Sequence, residues 1–246
     1  MKKVSIITTT YNDSEALRKT VEQIKAQDYP NIEYIIVDGK STDNTMDVIK
    51  EAEAYFGDRF AWISEKDKGI YDAINKGLKM ATGDYIGLCF DQFASNDVIS
   101  KMVAIMEKEG TDGVHGDLNY MDGNKIIRKW RNGQGSIRTG WMPGHPTLYL
   151  KKEVYEKYGL YKMDYRISAD YEFMIRILKD NQVKLSYIPE VLIKMAHGGT
   201  STKSLGAYLE GMKEGHRALK ENGVKVIRFS TGGFYPSGWK DFMDHP

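Results

Sequence analysis

The sequence has little cysteine and proline, with one Cys and six Pro in 246 residues. The single cysteine, Cys89, excludes an internal disulfide and is typical of a reducing compartment. No apolar run approaches the roughly 18 residues that a membrane-spanning helix needs. The N-terminus, Met1-Lys2-Lys3-Val4, continues into a short apolar segment with no signal-peptide pattern. We therefore expect a cytoplasmic protein.

The chain also has no excess of charge of one sign, since it contains 35 Lys and Arg residues and 34 Asp and Glu residues. This balance argues against bulk binding to nucleic acid, which usually requires a basic surface. Repeats, low-complexity tracts and Pro/Ser-rich linkers are absent from the sequence as well. One continuous domain is the prediction.

In the first half of the chain, β-rich segments alternate with helical ones. Apolar residues at Leu17, Val21 and Ile24 recur at helical spacing after the first β-rich run. The four predicted strands are Val4 to Ile7, Ile32 to Val37, Phe60 to Ile63 and Tyr85 to Phe90. Such a β-α-β-α-β-α-β order predicts an α/β fold with a mostly parallel central sheet covered by helices.

The second half predicts a small antiparallel element. Asp122-Gly123-Asn124 separates two strand-like runs and is typical of a hairpin turn. Residues 169–178 and about 204–222 have helical patterns, and 185–188 with 191–195 predict a strand pair. The last residues are rich in aromatics without a clear period.

Polar residues follow each of the first four predicted strands. Ligands of open α/β sheets bind outside the carboxyl ends of the strands. Tyr11 could stack on a base, and Asp38 could accept hydrogen bonds from a ribose or base. The alternative for Asp38 and for 41–43 is that they only cap the following helix.

Several motifs in this order resemble family 2 glycosyltransferases with the GT-A fold, of the bacterial surface-polysaccharide type. The motifs are Val4-Ser5-Ile6-Ile7-Thr8-Thr9-Thr10-Tyr11-Asn12, Ile35-Ile36-Val37-Asp38-Gly39-Lys40-Ser41-Thr42-Asp43, Glu65-Lys66-Asp67-Lys68-Gly69-Ile70-Tyr71-Asp72-Ala73-Ile74-Asn75-Lys76-Gly77, His115-Gly116-Asp117 and Ile167-Ser168-Ala169-Asp170-Tyr171-Glu172. The similarity covers roughly residues 3–202.

The resemblance implies an inverting transfer of a sugar from a nucleotide-sugar donor, usually a UDP-sugar, to a saccharide or lipid-linked saccharide acceptor. It implies a Rossmann-like GT-A domain over residues 1–222, with a nucleotide-binding half (1–91) and an acceptor-binding half (92–222), followed by an aromatic tail (223–246). By motif position, the residues expected to bind the donor are Thr9, Tyr11, Asp38, Asp67, Asp72, Asn75, Lys76 and Asp91.

Asp170 is the candidate general base that activates the acceptor hydroxyl. On its sequence context alone, an acid at a helix N-terminus could merely complement the helix dipole. The family resemblance favours catalysis. Glu172 is the fallback, although two residues further along a helix it should point elsewhere.

The segment from Gly140 to Thr147 resembles a loop that lines the sugar and acceptor pocket. Trp141 could stack on a sugar ring, and His145 could hydrogen-bond a hydroxyl or phosphate. A rigid Pro-Gly-His-Pro turn is an equal alternative.

The metal motif departs from the family pattern. Relatives usually carry Asn/Asp-Ser-Asp-Asp where this chain has Cys89-Phe90-Asp91-Gln92, and an amide oxygen is a poor ligand for Mg²⁺ or Mn²⁺. A divalent cation would then be held by Asp91 and by His197, with the donor diphosphate supplying most other ligands. For His197, a hydrogen bond to the diphosphate or a place in a surface turn is the alternative. Alternatively, Lys76 or Arg128 would carry part of the charge stabilisation. Lys40 stands where relatives often have a second Gly. This departure keeps open an alternative function, a catalytically weakened nucleotide-sugar-binding protein of the same fold.

The C-terminal helix and the aromatic tail predict peripheral contact with the inner membrane face. Lys213, Arg217 and Lys220 supply the basic residues of that helix. An ordinary packing helix is the alternative. A homodimer is left open.

Overall fold

The computed structural model describes residues 1–196 and 205–225. Its strands are β1 (Val4–Thr10), β2 (Ile32–Asp38), β3 (Phe60–Ser64), β4 (Tyr85–Leu88), β5 (Gln92–Phe93), β6 (Gly113–Asp122), β7 (Lys125–Trp130), β8 (Tyr149–Lys151) and β9 (Leu185–Ala196). Its helices are α1 (Ser14–Lys25), α2 (Thr45–Phe56), α3 (Ile70–Met80), α4 (Val98–Glu109), α5 (Lys152–Tyr158), α6 (Ala169–Leu178) and α7 (Leu205–Glu221), with short 3₁₀ turns between them.

The strands form one mixed sheet in the order β3-β2-β1-β4-β8-β6-β9-β5, and β7 pairs with β6. Strands β3, β2, β1 and β4 are parallel, as are β6 and β9. The pairings of β8, β5 and β7 are antiparallel. The predicted α/β fold, with a mostly parallel sheet and an antiparallel element in the second half, is confirmed.

Alternating side chains of the central strands build one core on each face of the sheet. Ile6 and Ile36 pack with α1, α2 and α4 on one face. Ile7 and Val37 pack with α3, α5 and α6 on the other. All four side chains are fully buried, and each contributes roughly 1.5–3 kcal/mol by leaving water. Burial on both faces explains why these strands have nearly continuous apolar sequences.

Helix α3 lies unusually close to β1. A Cβ atom added at Gly77 would lie only 2.4 Å from Cγ2 of Ile7. Glycine at this position therefore lets α3 approach the sheet, and α3 carries residues of the candidate site described below.

The predicted strand pair at 185–188 and 191–195 is wrong, because both segments belong to the single strand β9. Both run parallel to β6, and the register shifts between Ile188 and Val191. Pro189 has no N–H to donate to the ladder, so it and Glu190 bulge out, exposed, and the strand continues. Helices α4 and α5 are also absent from the sequence-based expectations.

None of the helices in residues 1–196 and 205–225 is long and apolar enough to cross a membrane.

Candidate active site

The carboxyl ends of β1, β2 and β3 lie level with one another. In register, Thr10 pairs with Asp38, and Asp38 pairs with Ser64. The Asp38 side chain is fully buried, and its carboxylate accepts hydrogen bonds from the Ser41 N–H and from the hydroxyls of Ser41 and Ser64 at 2.5–3.2 Å. Helix α2 has Asn44 as its N-cap, so Asp38 does not cap that helix.

Tyr11 and Asp67 both lie close to the backbone of Gly39. A Cβ atom at Gly39 would lie 3.1 Å from both Oδ2 of Asp67 and Cδ2 of Tyr11. The Tyr11 ring is 66% exposed and so has a free face for a planar ligand. Thr9 lies at the same end of β1 and is half-buried. The next residue, Lys40, has φ +67°, a conformation that favours glycine, and its side chain is exposed.

Lys76 is surrounded by three carboxylates. Its ammonium lies 2.5 Å from Asp67, 2.9 Å from Glu65 and 3.5 Å from Asp72. Burial alone would lower the pKa of Lys76, but the hydrogen bonds to Asp67 and Glu65 outweigh it and raise that pKa. The Lys76 charge is thus already compensated within the protein. The arrangement holds Asp67 in place and leaves a net negative cluster, which suits the hydroxyls and N–H groups of a nucleoside better than a phosphate.

Asn75 faces a different part of the structure. Its amide nitrogen donates to the Tyr161 carbonyl at 2.8 Å, and its oxygen accepts from the Tyr161 N–H at 3.0 Å. This buried pair of hydrogen bonds fixes the backbone at Tyr161. Any contact of Asn75 with a donor stays a prediction.

Asp170, in the first turn of α6, is joined to α3 by Tyr71. The Tyr71 hydroxyl lies 2.9 Å from Oδ1 of Asp170 and 2.6 Å from the Ile167 carbonyl. Burial, and after it the Asp170 charge, raises the pKa of Tyr71, which therefore keeps its proton. The Asp170 side chain is 31% exposed and so is reachable by a ligand.

His145 lies on the other side of Asp170. Its Nδ1 is 3.8 Å from Oδ2 of Asp170, and its Nε2 is 2.9 Å from the Tyr161 hydroxyl. Burial lowers the pKa of His145, while the Asp170 carboxylate opposes that shift. A neutral imidazole beside Asp170 leaves the carboxylate free of a full ion pair.

Two rows of side chains on α3 therefore contact two different clusters of residues. Lys76 reaches Asp67 at the strand ends, and Asp72, four residues before Lys76, pairs with the same ammonium. Tyr71 and Asn75, also four apart, reach the Asp170 and Tyr161 region. The helix thus links the cluster assigned to the donor with the cluster assigned to the acceptor.

Glu172 points away from this cluster, as expected. It is fully buried and bonded to Arg176, Lys162 and Asn222. These cations and the amide lower its pKa against the opposing effect of burial. Glu172 is a structural ion-pair residue in this geometry.

Trp141 packs against buried groups of β6. Its indole N–H donates to the Asn132 carbonyl at 2.8 Å, and its ring meets that of His115 edge-on at 5.4 Å. His115 is fully buried, also stacks on Tyr187, and neither ring nitrogen has a hydrogen-bond partner in the described structure. Burial lowers the pKa of His115 to about 4, so this imidazole is neutral.

Asp91, just beyond β4, is the carboxylate at the expected metal position. Burial raises the pKa of Asp91 to about 6, and the Ala196 N–H, 3.3 Å from Oδ1, opposes that shift. Arg128, a candidate for charge stabilisation, lies on β7, and its guanidinium is 5.2 Å from the ring centre of Tyr120 on β6. A partly buried carboxylate of this kind could ligate a cation, because a bound cation would offset its charge.

Gln92 does not share that position. It is exposed on β5 and pairs with Lys194 in the register of β9. It lines a surface depression with residues of α1, namely Arg18, Lys19, Glu22 and Gln23. The described ranges contain no group of three or more His, Cys, Asp or Glu side chains placed to bind a metal ion. His197, the other expected ligand, lies outside the described residues.

Sequence reasoning missed Tyr71 and Tyr161. Tyr71 lies inside a motif that carries the family resemblance, next to Asp72, so its position in that motif was an available signal. Tyr161 has no comparable signal, because its role comes from contacts with Asn75 and His145.

The family model for glycosyl transferase family 2 matches residues 5–165. The chain belongs to this family. It is 30% identical over 191 residues to an uncharacterized glycosyltransferase of Mycobacterium tuberculosis (strain CDC 1551), covering 70% of this chain and 68% of that protein. It is 28% identical to a PGL/p-HBAD biosynthesis glycosyltransferase of Mycobacterium bovis BCG, over 76% of this chain and 74% of that one.

Solved structures support the GT-A fold. Staphylococcus aureus TarS 1-349 in complex with UDP-GlcNAc has a TM-score of 0.71 at 13% identity, over 94% of this chain and 68% of that one. The mannosyltransferase PcManGT of Pyrobaculum calidifontis, in complex with GDP-Man and Mn²⁺, has a TM-score of 0.68 at 18% identity, over 99% and 68%. In another TarS 1-349 crystal structure this chain spans 65% of the length. The expected family and fold are confirmed.

Proposed function

We propose that this family 2 member is an inverting glycosyltransferase that moves a sugar from a UDP-sugar to a hydroxyl of a saccharide acceptor. The observation that carries the proposal is the Asp170 carboxylate, held by the Tyr71 hydroxyl and flanked by a neutral His145. A partly exposed carboxylate in a fixed orientation is what a general base requires.

In the proposed reaction, Asp170 takes the proton of the acceptor hydroxyl. The hydroxyl oxygen attacks the anomeric carbon of the donor from the face opposite the nucleoside diphosphate. The bond between that carbon and the diphosphate oxygen breaks, and the diphosphate leaves with the electron pair. His145, whose Nδ1 is 3.8 Å from Asp170, and Trp141 would orient the acceptor.

In the proposed enzyme, residues 1–91 would form the nucleoside-binding half. Tyr11 would stack on the base, and Asp67 would accept hydrogen bonds from the base or ribose. Asp38, which is fully buried, would act by holding Ser41 and Ser64 at the edge of this site. Thr9 and Asp72 would line the same region, and Lys76 would act by holding Asp67 and Asp72. Residues 92–222 would form the acceptor half.

A divalent cation, Mn²⁺ or Mg²⁺, belongs to the proposal, with Asp91 as its protein ligand and His197 as a second. When bound, the cation would stabilise the negative charge of the leaving diphosphate. The Asp91 carboxylate would supply one anionic oxygen, and the diphosphate would supply others.

The acceptor in this proposal carries negative charge, as a lipid-linked sugar phosphate does. No Asp or Glu occurs between Gly123 and Lys152, a segment that includes Trp141 and His145. Its exposed cations are Lys125, Lys129, Arg131 and Arg138. A relative in Methanococcus voltae, 30% identical over 73% of this chain and 63% of that protein, is named as a transferase acting on a dolichyl N-acetylglucosaminyl phosphate. A role in cell-surface polysaccharide synthesis, a cytoplasmic location, peripheral membrane contact and a homodimer stay predictions.

The experiment is a donor screen with the purified chain. UDP-sugars and GDP-sugars are incubated with Mn²⁺ or with EDTA, with and without phosphorylated and unphosphorylated saccharide acceptors, and nucleotide release is measured. Release of UDP in the presence of acceptor supports the proposal. Binding of a nucleotide-sugar with no turnover under any condition would support the alternative, a nucleotide-sugar-binding protein.

The decisive variant is Asp170→Asn. It should lower kcat by at least 100-fold while the Kd for UDP changes less than twofold, because it removes the base and leaves the nucleoside site intact. The matched control is Asp180→Asn, an exposed Asp just beyond the opposite end of α6. A parallel loss of UDP binding in Asp170→Asn would make Asp170 a structural residue instead.

A further inference from the structure

The position of Asp170 depends on the three residues that precede α6. The side chain of Glu214, on α7, is hydrogen-bonded to the backbone of all three. The Glu214 carboxylate accepts hydrogen bonds from three successive backbone N–H groups, those of Arg166 at 2.6 Å, Ile167 at 2.9 Å and Ser168 at 2.8 Å. The side chain is only 6% exposed. A buried carboxylate is costly unless it is well bonded, so this geometry ties α7 tightly to the segment.

The same segment makes one more contact with α7 and is also bonded to α3. The Ser168 hydroxyl donates to the Gly211 carbonyl of α7 at 3.2 Å. The Tyr71 hydroxyl lies 2.6 Å from the Ile167 carbonyl and 2.9 Å from Asp170. Ile167 is therefore bonded to Glu214 through its N–H and to Tyr71 through its carbonyl. Tyr71 in turn contacts Asp170.

Glu214 also bonds to the N-cap residue of α6, through the Ser168 N–H. Ser168 is the N-cap residue of that helix, but its side chain makes no capping hydrogen bond. The first turn of α6, with Asp170, begins immediately after the N–H groups that Glu214 accepts. A negative group at a helix N-terminus is also favoured by the helix dipole.

We propose that Glu214 is a positioning residue for the base, which sets the orientation of Asp170 through the backbone of residues 166–168. This inference rests on the proposed function of Asp170. It assigns a part in the reaction to α7, a helix outside the residues 5–165 that the family model matches. Glu214 touches neither donor nor acceptor in this role.

The test is Glu214→Gln, which keeps the size of the side chain but turns an amide N–H₂ toward backbone N–H donors. A displacement of the base by about 1 Å can cost on the order of 100-fold in rate. We expect kcat to fall 10- to 100-fold while the Kd for UDP stays within twofold of wild type. The matched control is Glu210→Gln, the same change at an exposed position of α7, which should leave kcat unchanged.

A double-mutant cycle separates positioning from general structural damage. If Glu214 acts only through Asp170, Glu214→Gln should have no further effect on the residual rate of Asp170→Asn. If the two losses multiply, Glu214 acts elsewhere and the proposal is wrong. Unchanged kcat in Glu214→Gln alone would also overturn it.

Two further outcomes keep the two proposals distinguishable. If Asp170→Asn itself retains full activity, the proposed base is wrong whatever Glu214 does. If Asp170→Asn is inactive and Glu214→Gln is fully active, only the positioning role fails. Should Glu214→Gln not fold, Glu214→Asp keeps the charge and withdraws it by one methylene, and the same cycle applies.

Discussion

The hydroxyl of Tyr71 lies 2.9 Å from Oδ1 of Asp170, across 99 residues of sequence. The same hydroxyl lies 2.6 Å from the Ile167 carbonyl, and a phenol has one proton to share between these two acceptors. Tyr71 therefore connects helix α3, which also supports the strand-end carboxylates, to the candidate base.

Tyr71→Phe should reduce activity more than nucleotide binding. Removing the hydroxyl leaves the Asp170 carboxylate and a partly buried carbonyl without this donor, a loss worth about 1–3 kcal/mol. We expect kcat to fall about tenfold, with an unchanged Kd for UDP by calorimetry. Tyr158→Phe is the control, because that hydroxyl contacts Gln182 at an exposed position. Equal kcat values in the two variants would exclude a role for Tyr71.

Asp91→Asn should stabilise the metal-free protein at alkaline pH. Because burial raises the pKa of Asp91 to about 6, the native state holds its proton more tightly than the unfolded chain does. The charged form therefore destabilises the fold above pH 6, by about 2–3 kcal/mol, and this effect disappears as the pH falls toward 4. Urea unfolding in EDTA at pH 8 and pH 4 measures it. A variant no more stable than wild type at pH 8 would contradict the burial of this charge.

Asp91→Asn should also abolish stabilisation by metal. With UDP present, Mn²⁺ should raise the Tm of wild type by mass action, and the rise should vanish in the variant. Gln92→Asp adds a carboxylate one residue away on a side chain that faces α1, so the Mn²⁺ response should remain that of wild type. An enhanced response in Gln92→Asp would mean that position 92 faces the cation.

His115 should make the protein less stable as the pH falls. Burial lowers the pKa of His115 to about 4, whereas the imidazole of an unfolded chain titrates near 6.5. Below pH 6.5 this imidazole binds a proton in the unfolded state but stays neutral in the native state. The free energy of unfolding therefore decreases as the pH falls to 4, by about 3 kcal/mol. His115→Phe should remove this loss, measured by urea unfolding between pH 7.5 and pH 4. His216→Phe, at an exposed position, should retain it.

Gly39→Ala should weaken nucleotide binding without destabilising the fold. The new methyl group would press on Tyr11 and Asp67 at 3.1 Å, and both must move apart to admit it. A loss of about 1.4 kcal/mol corresponds to a tenfold higher Kd for UDP. Gly215→Ala, whose methyl group would make an ordinary 3.6 Å contact with Tyr171, is the control. An unchanged Kd in Gly39→Ala would argue against a nucleoside between Tyr11 and Asp67.

The sequence alone predicted the alternating strands and helices, the parallel sheet, the hairpin at Gly123 and the family. These features depend on local patterns, namely the spacing of apolar residues, the turn residues between them and short motifs in order. It also pointed to Asp38, Asp67 and Asp91, because polar residues that directly follow parallel strands must meet at one edge of the sheet.

Only the tertiary structure decided which of those side chains are already committed to partners. Lys76 is paired with Glu65, Asp67 and Asp72, and Asn75 is bonded to the Tyr161 backbone. The contacts of Asp170 come from α3 and, through Glu214, from α7. Periodicity tells which face of a helix is buried, but the partner it meets depends on how distant segments pack, and that information is not local in the sequence.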